Sequence, residues 1–581
     1  MSALPAAALE PVAFTVPGAP NGLEKALRGA SLLLRAESQG TTATQDLLSA
    51  ARSDYARLLG VLYARGHYSG RISIRLDGRE ADAISLLAPP ARIGRAEIAV
   101  IPGPVFRFGR ADLSPLPAET TPPEAFRRGE PALSGSVVAA AEAGVAGWRA
   151  AGHAKARVAA QDVVADHPRA VLDAALTLDP GPRLDFGRLT ITGQERMREG
   201  AIRRIAGLPE GEVFDPAALD RASTRLRRTE IFSTVLIEEA ETPNRDGTLD
   251  IALTVDEGPR RRLSFGAELE SREGLTTTAA WLNRNLAGGG ERLLAEISAA
   301  GLGGETGVDF GLALRLDRPA TLRADTTGFA TFEIAREQTE DYTSDSIDLG
   351  LGFRREFTDR LTGEAGIALH TSRADEDDDD TVFRRLSVPV RLTWDGRDSD
   401  LNPTRGLYGD VTASPFVGFA GTGNGIRLTG DARGYLPLGG GGTVLAGRLQ
   451  MGSVFGPSLA DTPRDDLFYS GGGGTVRGQP YQSLGVEVLR GGTVKTGGQH
   501  FLGLSGEIRV PVTGNWGAVA FYDAGYVTAT EFLGDGDWHA GAGLGIRYQT
   551  GIGPIRADIA MPVAGDTDDD VQLYIGIGQA F

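Results

Sequence analysis

At 581 residues the chain exceeds one ordinary domain, and its 80 glycines without a collagen period suggest many tight turns and closely packed strands. A net charge of −17 excludes nucleic acid as a partner, because phosphate binding needs a basic face. Cysteine is absent, which removes disulfides, thiolate chemistry and Cys-type zinc sites, and no run approaches the length of a membrane-spanning helix.

The chain begins MSALPAAALEPVAF, without a basic stretch followed by an apolar one. For an exported protein, a signal peptide is then expected to have been removed or to lie upstream of this start.

From about residue 12 the chain repeats itself. Gly103-Pro104 opens PGPVFRFG, Gly181-Pro182 opens PGPRLDFG and Gly258-Pro259 opens EGPRRRLSFG, at spacings of 78 and 77 residues. Each run ends in Phe-Gly, at Phe108, Phe186 and Phe265. Between the turns the expected order is strand, helix, helix and two strands, with units at 12–103, 104–181 and 182–259. In the first copy Leu47, Leu48, Ala51, Tyr55, Leu58 and Leu62 recur at helical spacing, Gly66 ends the helix and RISIRLDG follows as a strand. The second copy carries VVAAAEAGVAGWRAAGH, and the third FDPAALDRASTRLRRTEIF, with Asp215 as N-cap ahead of Pro216.

From residue 260 to 581 the period becomes two. Val571, Leu573, Ile575, Ile577 and Phe581 alternate with Gln572, Tyr574, Gly576, Gly578 and Ala580. In LGLSGEIRVPV, Leu502, Leu504, Ile508 and Val510 oppose Ser505, Glu507 and Arg509. Sixteen such segments fit this stretch. Their connections alternate between short ones (DRPA, LGGGG, TGNW, TGIG) and long polar ones (REQTEDYTSDS, ATEFLGDGD, AGDTDDD). A 16-stranded antiparallel transmembrane β-barrel predicts that alternation, with apolar side chains toward lipid and small or polar ones toward the lumen.

The longest connection, 457–499, contains GGGGTVRGQPYQ, with Val476, Arg477 and Gly478 at its centre. A loop of that length inside a barrel is expected to be functional and to fold inward. Its arginine then needs carboxylates, with which it forms bidentate pairs. Glu507 is the first candidate by parity and Asp523 in FYDAG the second, while Arg556 and Asp558 also point inward. Asp523 carries a difficulty: unless a bulge intervenes, Val519 and Phe521 must face the lumen with it.

No metal or cofactor site is expected. His67, His153, His167, His370, His500 and His539 are scattered without ligand spacing. The acidic run Asp375 to Asp380 lacks an EF-hand pattern and reads as a solvated loop. GLSGE ends in Glu507 rather than the glycine of a nucleophile elbow, and GAGLG lies in a strand, not before a helix.

VRG at 476–478, WDGRDSDLNPTRG, FYDAG, GIRYQTGIGPIRADIAMP and YIGIGQAF together resemble the superfamily of outer-membrane assembly and secretion barrels that carry polypeptide-transport-associated (POTRA) domains. The resemblance spans nearly the whole chain. It implies the β-α-α-β-β fold for the repeats, the loop motif between strands 11 and 12, and Asp523 as the arginine's partner. Gln479 stands where the family has Tyr or Phe, with Tyr481 two residues on. Three repeats match the translocation and assembly module branch (TamA-like). A two-partner secretion transporter would have two and a plug helix, and a passive porin neither arm nor inward loop.

The resemblance implies a non-enzymatic factor in the bacterial outer membrane, with its arm in the periplasm. It would insert or translocate β-rich clients such as autotransporters near the seam between its first and last strands. It also implies an inner-membrane-anchored periplasmic partner (TamB-like) and a terminal-strand signal at Tyr574, Ile577 and Phe581. Client capture by strand addition suits such a role, because backbone hydrogen bonds are indifferent to client sequence.

Overall fold

The computed structural model describes residues 10–581 apart from 21, 305–306, 340, 377–378, 490–491, 493, 552 and 566–569. It comprises two compact units, one of Met1–Thr190, Pro209–Asp220 and Glu238–Ile251, the other of Ile191–Leu208, Arg221–Ile237 and Ala252–Phe581.

The first repeat holds β1 (Ala13–Thr15), α1 (Leu23–Ala30), α2 (Leu32–Ser38), α3 (Thr44–Ala64), β2 (Arg71–Leu76), β3 (Arg79–Glu80) and β4 (Ala96–Ile101), in a sheet ordered β1-β4-β2-β3. Leu47, Leu48, Ala51, Leu58 and Leu62 form the buried stripe of α3 and pack in one core with Ile74, Ile98 and Val100. One helix more than expected is present because the chain breaks at Ser31. There the buried Asp54 carboxylate accepts from Ser31 Oγ and from the Leu32 and Leu33 N–H groups, capping α2.

The second repeat holds β5 (Arg107–Ser114), α4 (Ser134–Ala150), β6 (Arg157–Asp166) and β7 (Val171–Asp179), in the order β5-β7-β6. It departs from expectation by having one helix. Pro115, Pro117, Pro122, Pro123 and Pro131 crowd the stretch before α4, each removing an N–H that a helix would use. The third repeat has the full expected order: β8 (Asp185–Thr192), α5 (Glu199–Ala206), α6 (Pro216–Arg228), β9 (Phe232–Glu239) and β10 (Thr248–Glu257), with sheet order β8-β10-β9.

Two of the scattered histidines have the same structural task. His67 and His153 each follow a left-handed glycine, Gly66 or Gly152, at the end of a helix. Each donates from Nδ1 to a Gly-Pro turn, at 2.9 Å to Gly103 O and 2.9 Å to Gly181 O respectively.

The barrel comprises β11 (Arg261–Glu270), β12 (Gly274–Arg284), β13 (Arg292–Gly303), β14 (Asp309–Arg318), β15 (Thr326–Gln338), β16 (Thr343–Glu356), β17 (Leu361–Glu376), β18 (Asp379–Ser387), β19 (Val390–Asp395), β20 (Gly406–Gly418), β21 (Gly425–Leu438) and β22 (Thr443–Phe455). A small loop hairpin, β23 (Val486–Leu489) with β24 (Val494–Thr496), follows. Then come β25 (His500–Thr513), β26 (Trp516–Thr528), β27 (Gly536–Thr550), β28 (Gly553–Ala564) and β29 (Gln572–Ile577), which close the barrel on β11. Segments β18 and β19 are halves of one strand, since both pair with β17 and with β20. The break falls at Pro389, which has no N–H to give, so the strands number sixteen. Alternation is as expected: Leu504, Ile508 and Val510 are exposed on the outer face while Glu507 and Arg509 are buried within.

The end of the chain requires a correction. Val571, Leu573, Ile575 and Ile577 are exposed outward, but Phe581 is buried against Tyr435, Val444 and Ala446. The strand stops at Ile577 because Gly578, at φ +100°, turns out of the extended conformation and donates its N–H to Pro554 O at 2.7 Å.

Candidate functional site

The 457–499 connection joins β22 to β25, strands 11 and 12 of the barrel. Its turn is made by glycines. Gly472 N–H donates to Gln479 O at 2.9 Å, and Gly472 and Gly478 both take positive φ. This brings Arg477, 2% exposed, against the inner wall.

Arg477 meets three carboxylates. Its Nε lies 2.7 Å from Asp523 Oδ2 and its Nη2 3.1 Å from Asp523 Oδ1, a bidentate pair. Nη1 lies 2.7 Å from Glu507 Oε1 and 3.5 Å from Asp558 Oδ2. The Arg477 N–H also reaches Asp523, at 3.2 Å. No bulge is needed. Val519, Phe521 and Asp523 share the buried face of β26, and the Phe521 ring lies 3.6 Å from the guanidinium carbon. The parity that looks awkward in sequence supplies a cation–π surface.

Two further arginines belong to this cluster and went unread in the sequence. Arg509 donates to Glu507 at 2.8 Å, and Arg547 pairs with Asp558. Three arginines therefore face three carboxylates, a neutral set in a buried place. Arg556 is not part of it: its ion pair is with Glu268 on β11. The absent aromatic at 479 is replaced by polar anchoring. Gln479 Nε2 donates to Ala540 O at 2.7 Å and Ala564 O at 3.0 Å. Tyr574 comes from β29 and accepts from Gly478 N–H at 2.9 Å, while Tyr481 is exposed. Bare backbone on the wall admits the loop. A Cβ on Gly525 would stand 2.0 Å from Ser470 Oγ, and one on Gly541 2.0 Å from Arg477 O.

A second anchor lies upstream in the same loop. Arg464 donates from Nε to Glu376 at 2.6 Å, with both side chains 4% exposed. Asp465 Oδ2 lies 3.2 Å from His370 Nε2, whose Nδ1 is 3.0 Å from Asp348. Asp466 accepts from Arg385 at 2.7 and 2.8 Å. The three consecutive charges of TPRDDLF were its only sequence signal. Glu376 in the acidic run is thus a buried ion-pair member rather than a solvated side chain, because it ends β17 on the lumen face. Residues 377–378 of that run lie outside the described residues.

The barrel's closure is uneven. Among the described residues, strand β11 pairs with β12 over its whole length, but with β29 only at Leu269↔Ile575 and Glu270↔Tyr574. Ser271 adds two bonds to Leu573, from its N–H and to its Oγ, each at 3.1 Å. The Arg556–Glu268 ion pair spans the opening below.

In the second unit, arginines near the end of α6 grip turns at one barrel rim. Arg225 is bidentate on Asp325, at 2.5 and 2.9 Å, and hydrogen bonding from this guanidinium holds the Asp325 carboxyl below its ordinary range. Arg228 pairs with Glu356 and with Asp359, the latter at 2.8 Å. In the first unit, β6 is a sheet edge bonded, among the described residues, only to β7, with Val163 and Val164 exposed. Beside it runs an apolar groove of about 430 Å³ lined by Val137, Val138, Ala141, Val145 and Val158.

A family model for the Omp85 superfamily domain matches residues 285–581, and one for the surface antigen variable number repeat (POTRA) matches 184–258. The outer membrane protein assembly factor BamA of Nitratidesulfovibrio vulgaris is 24% identical over 429 residues, covering 71% of this chain and 53% of its own length. That of Neisseria meningitidis is 24% identical over 490 residues, covering 73% and 60%. The chain thus spans little more than half the length of these curated relatives. Among solved structures, BamA from Haemophilus ducreyi lacking POTRA domains 1–3 superposes with a TM-score of 0.63 at 17% identity, covering 81% of this chain and all of that one. CdiB from Acinetobacter baumannii gives 0.52 at 13%, covering 82% and 90%. At these identities the likeness is one of fold.

Proposed function

We propose, from the premise that this chain belongs to the Omp85 superfamily, that it is an outer-membrane assembly factor whose periplasmic arm passes β-rich clients to the seam of its own barrel. The observation that carries this reading is the seam itself. A barrel built only to conduct solutes gains nothing from closing on two residue pairs, whereas one that admits a foreign strand needs a place where the ladder opens at small cost.

The other features fit the same task. The open edge of β6 beside an apolar groove suits capture of an extended segment by strand addition. A loop tied to the wall at Arg464–Asp466 and at Arg477 braces the lumen while the seam moves. We read all three repeats as POTRA domains, which favours the TamA-like branch, autotransporter-type clients and a TamB-like periplasmic partner.

The test exploits the absence of cysteine. Leu269→Cys with Ile575→Cys places one thiol on each side of the seam at paired positions. Reconstituted into liposomes, the oxidised protein should lose client insertion and regain it on reduction. Equal insertion by oxidised and reduced protein would refute the proposal.

A further inference from the structure

The outer face of the barrel is hollowed across β13 to β18, in the half away from the rim that α6 grips. Asp325, held by α6, precedes β15, whereas Arg336 of the hollow lies near the other end of that strand. The cavity measures about 720 Å³ and lies over two rows of outward side chains. The register sets Ile297, Leu312, Ile334 and Ile347 side by side in one row, continued by Thr371 and Arg384. The row nearer the rim runs Phe310, Arg336, Asp345, Arg373 and Val382. Between them a lumen-facing row carries only small side chains from Ser298 through Gly311, Ala335 and Ser346 to Ser372, so little props this part of the wall from within.

We propose that this hollow binds a phosphate-bearing lipid of the outer leaflet, with acyl chains in the hollow and phosphate among the arginines. Charge carries the inference first. Arg336 is bidentate on Asp345, at 2.6 and 2.7 Å, and Arg373 pairs with Asp380. Arg384 makes no ion pair among the described residues, although it stands exposed in the row farther from the rim. A charged side chain on the lipid face is costly below the headgroups, and the long stem of an arginine lets its guanidinium reach up to them. Three guanidiniums against two carboxylates leave one positive charge, which a lipid phosphate neutralises through charge-assisted hydrogen bonds. Placement carries it second. Leu314, Phe332, Leu349 and Leu369 form the next row of the same face, so a headgroup held at the arginines lays its chains along a continuous apolar surface. A zwitterionic headgroup brings its own cation and gains less from the same site.

The chain has no cysteine, so Leu349→Cys, at an exposed position below the hollow, takes a single bimane label. The labelled full-length protein in detergent micelles is titrated with lipid brominated on its acyl chains, either phosphatidic acid or phosphatidylcholine with the same chains. Phosphatidic acid should quench half-maximally at a mole fraction at least fivefold below that of phosphatidylcholine. Arg384→Gln should close this gap, and Asp345→Asn, which frees Arg336 from its carboxylate, should widen it. The same label at Leu504→Cys, outward on β25 and far from the hollow in strand order, should be quenched equally by both lipids. Equal quenching by the two lipids at Leu349→Cys, a preference of the same size at Leu504→Cys, a preference untouched by Arg384→Gln, or a gap that Asp345→Asn fails to widen would overturn the proposal. Neither the hollow nor its test involves the seam or a client, so the outcome leaves the function proposed above where it stands.

Discussion

Replacing Arg477 with alanine takes one cation from a buried set of three arginines and three carboxylates. Asp523, 1% exposed, loses both of its bidentate bonds and Glu507 loses one of its two partners. An uncompensated charge in such a place costs about 3–5 kcal/mol. Releasing the loop removes the cation too, so in the wild type release carries that cost, and in Arg477→Ala it does not. The released fraction should then rise roughly a hundred- to a few-thousandfold, at about 1.4 kcal/mol per decade. Val476→Cys is a suitable reporter. Val476 is fully buried beside the arginine, and the chain has no other thiol. Labelling of this cysteine by a membrane-impermeant maleimide should accelerate by that factor in the Arg477→Ala background, and by less in Arg477→Lys, which keeps the charge but not the planar fork. Equal labelling rates with and without Arg477 would refute the reasoning.

Gly541→Ala should release the same loop without touching a charge, because its Cβ would stand 2.0 Å from the Arg477 carbonyl; unchanged labelling at Val476→Cys would contradict this. Arg464→Ala removes a buried arginine from Glu376, so the upstream limb should loosen, visible as faster amide exchange over 457–467; wild-type protection there would count against a second anchor. Limited proteolysis should remove the arm and spare a fragment beginning near Arg260, and a protected core much under 300 residues would contradict the closed barrel. Asp325 has a depressed carboxyl pKa, so its contribution is present above the ordinary carboxylate value of about 3.9 and is lost as pH falls through the lower folded value. Exchange in α6 should therefore quicken only in acid, and in Asp325→Asn at neutral pH; since the side chain is nearly half exposed the effect is small, and protection indifferent to both would remove the clamp.

The barrel was legible because two-residue periodicity is a local signal, repeated in every strand. Glu507 followed from that parity alone. Asp523 needed the converse inference, that two apolar neighbours on a lumen face belong there when a guanidinium lies over one of them. Arg509 and Arg547 were hidden because a strand pattern says which way a side chain points, not which distant strand it meets. His370 and Asp465 are 95 residues apart and share nothing in sequence until the loop folds. The missing helix of the second repeat was foreshadowed by its prolines. The inward turn of Phe581 was not, since it depends on a single backbone angle at Gly578.

On the function proposed above, the one-sided fastening of the seam would give strand exchange a direction. The stretch of β11 from Arg261 to Glu268 has a free edge, whereas Leu269 and Glu270 are already paired. An arriving strand that nucleated on that stretch would meet no paired backbone there, only the Arg556–Glu268 ion pair at its end. It lengthens until it reaches the two native pairs, and these it displaces one at a time. This is branch migration, in which each bond broken is matched by one formed, so no step exposes more than a residue or two of bare backbone to the bilayer. A seam fastened along its whole length would have to open before anything could enter.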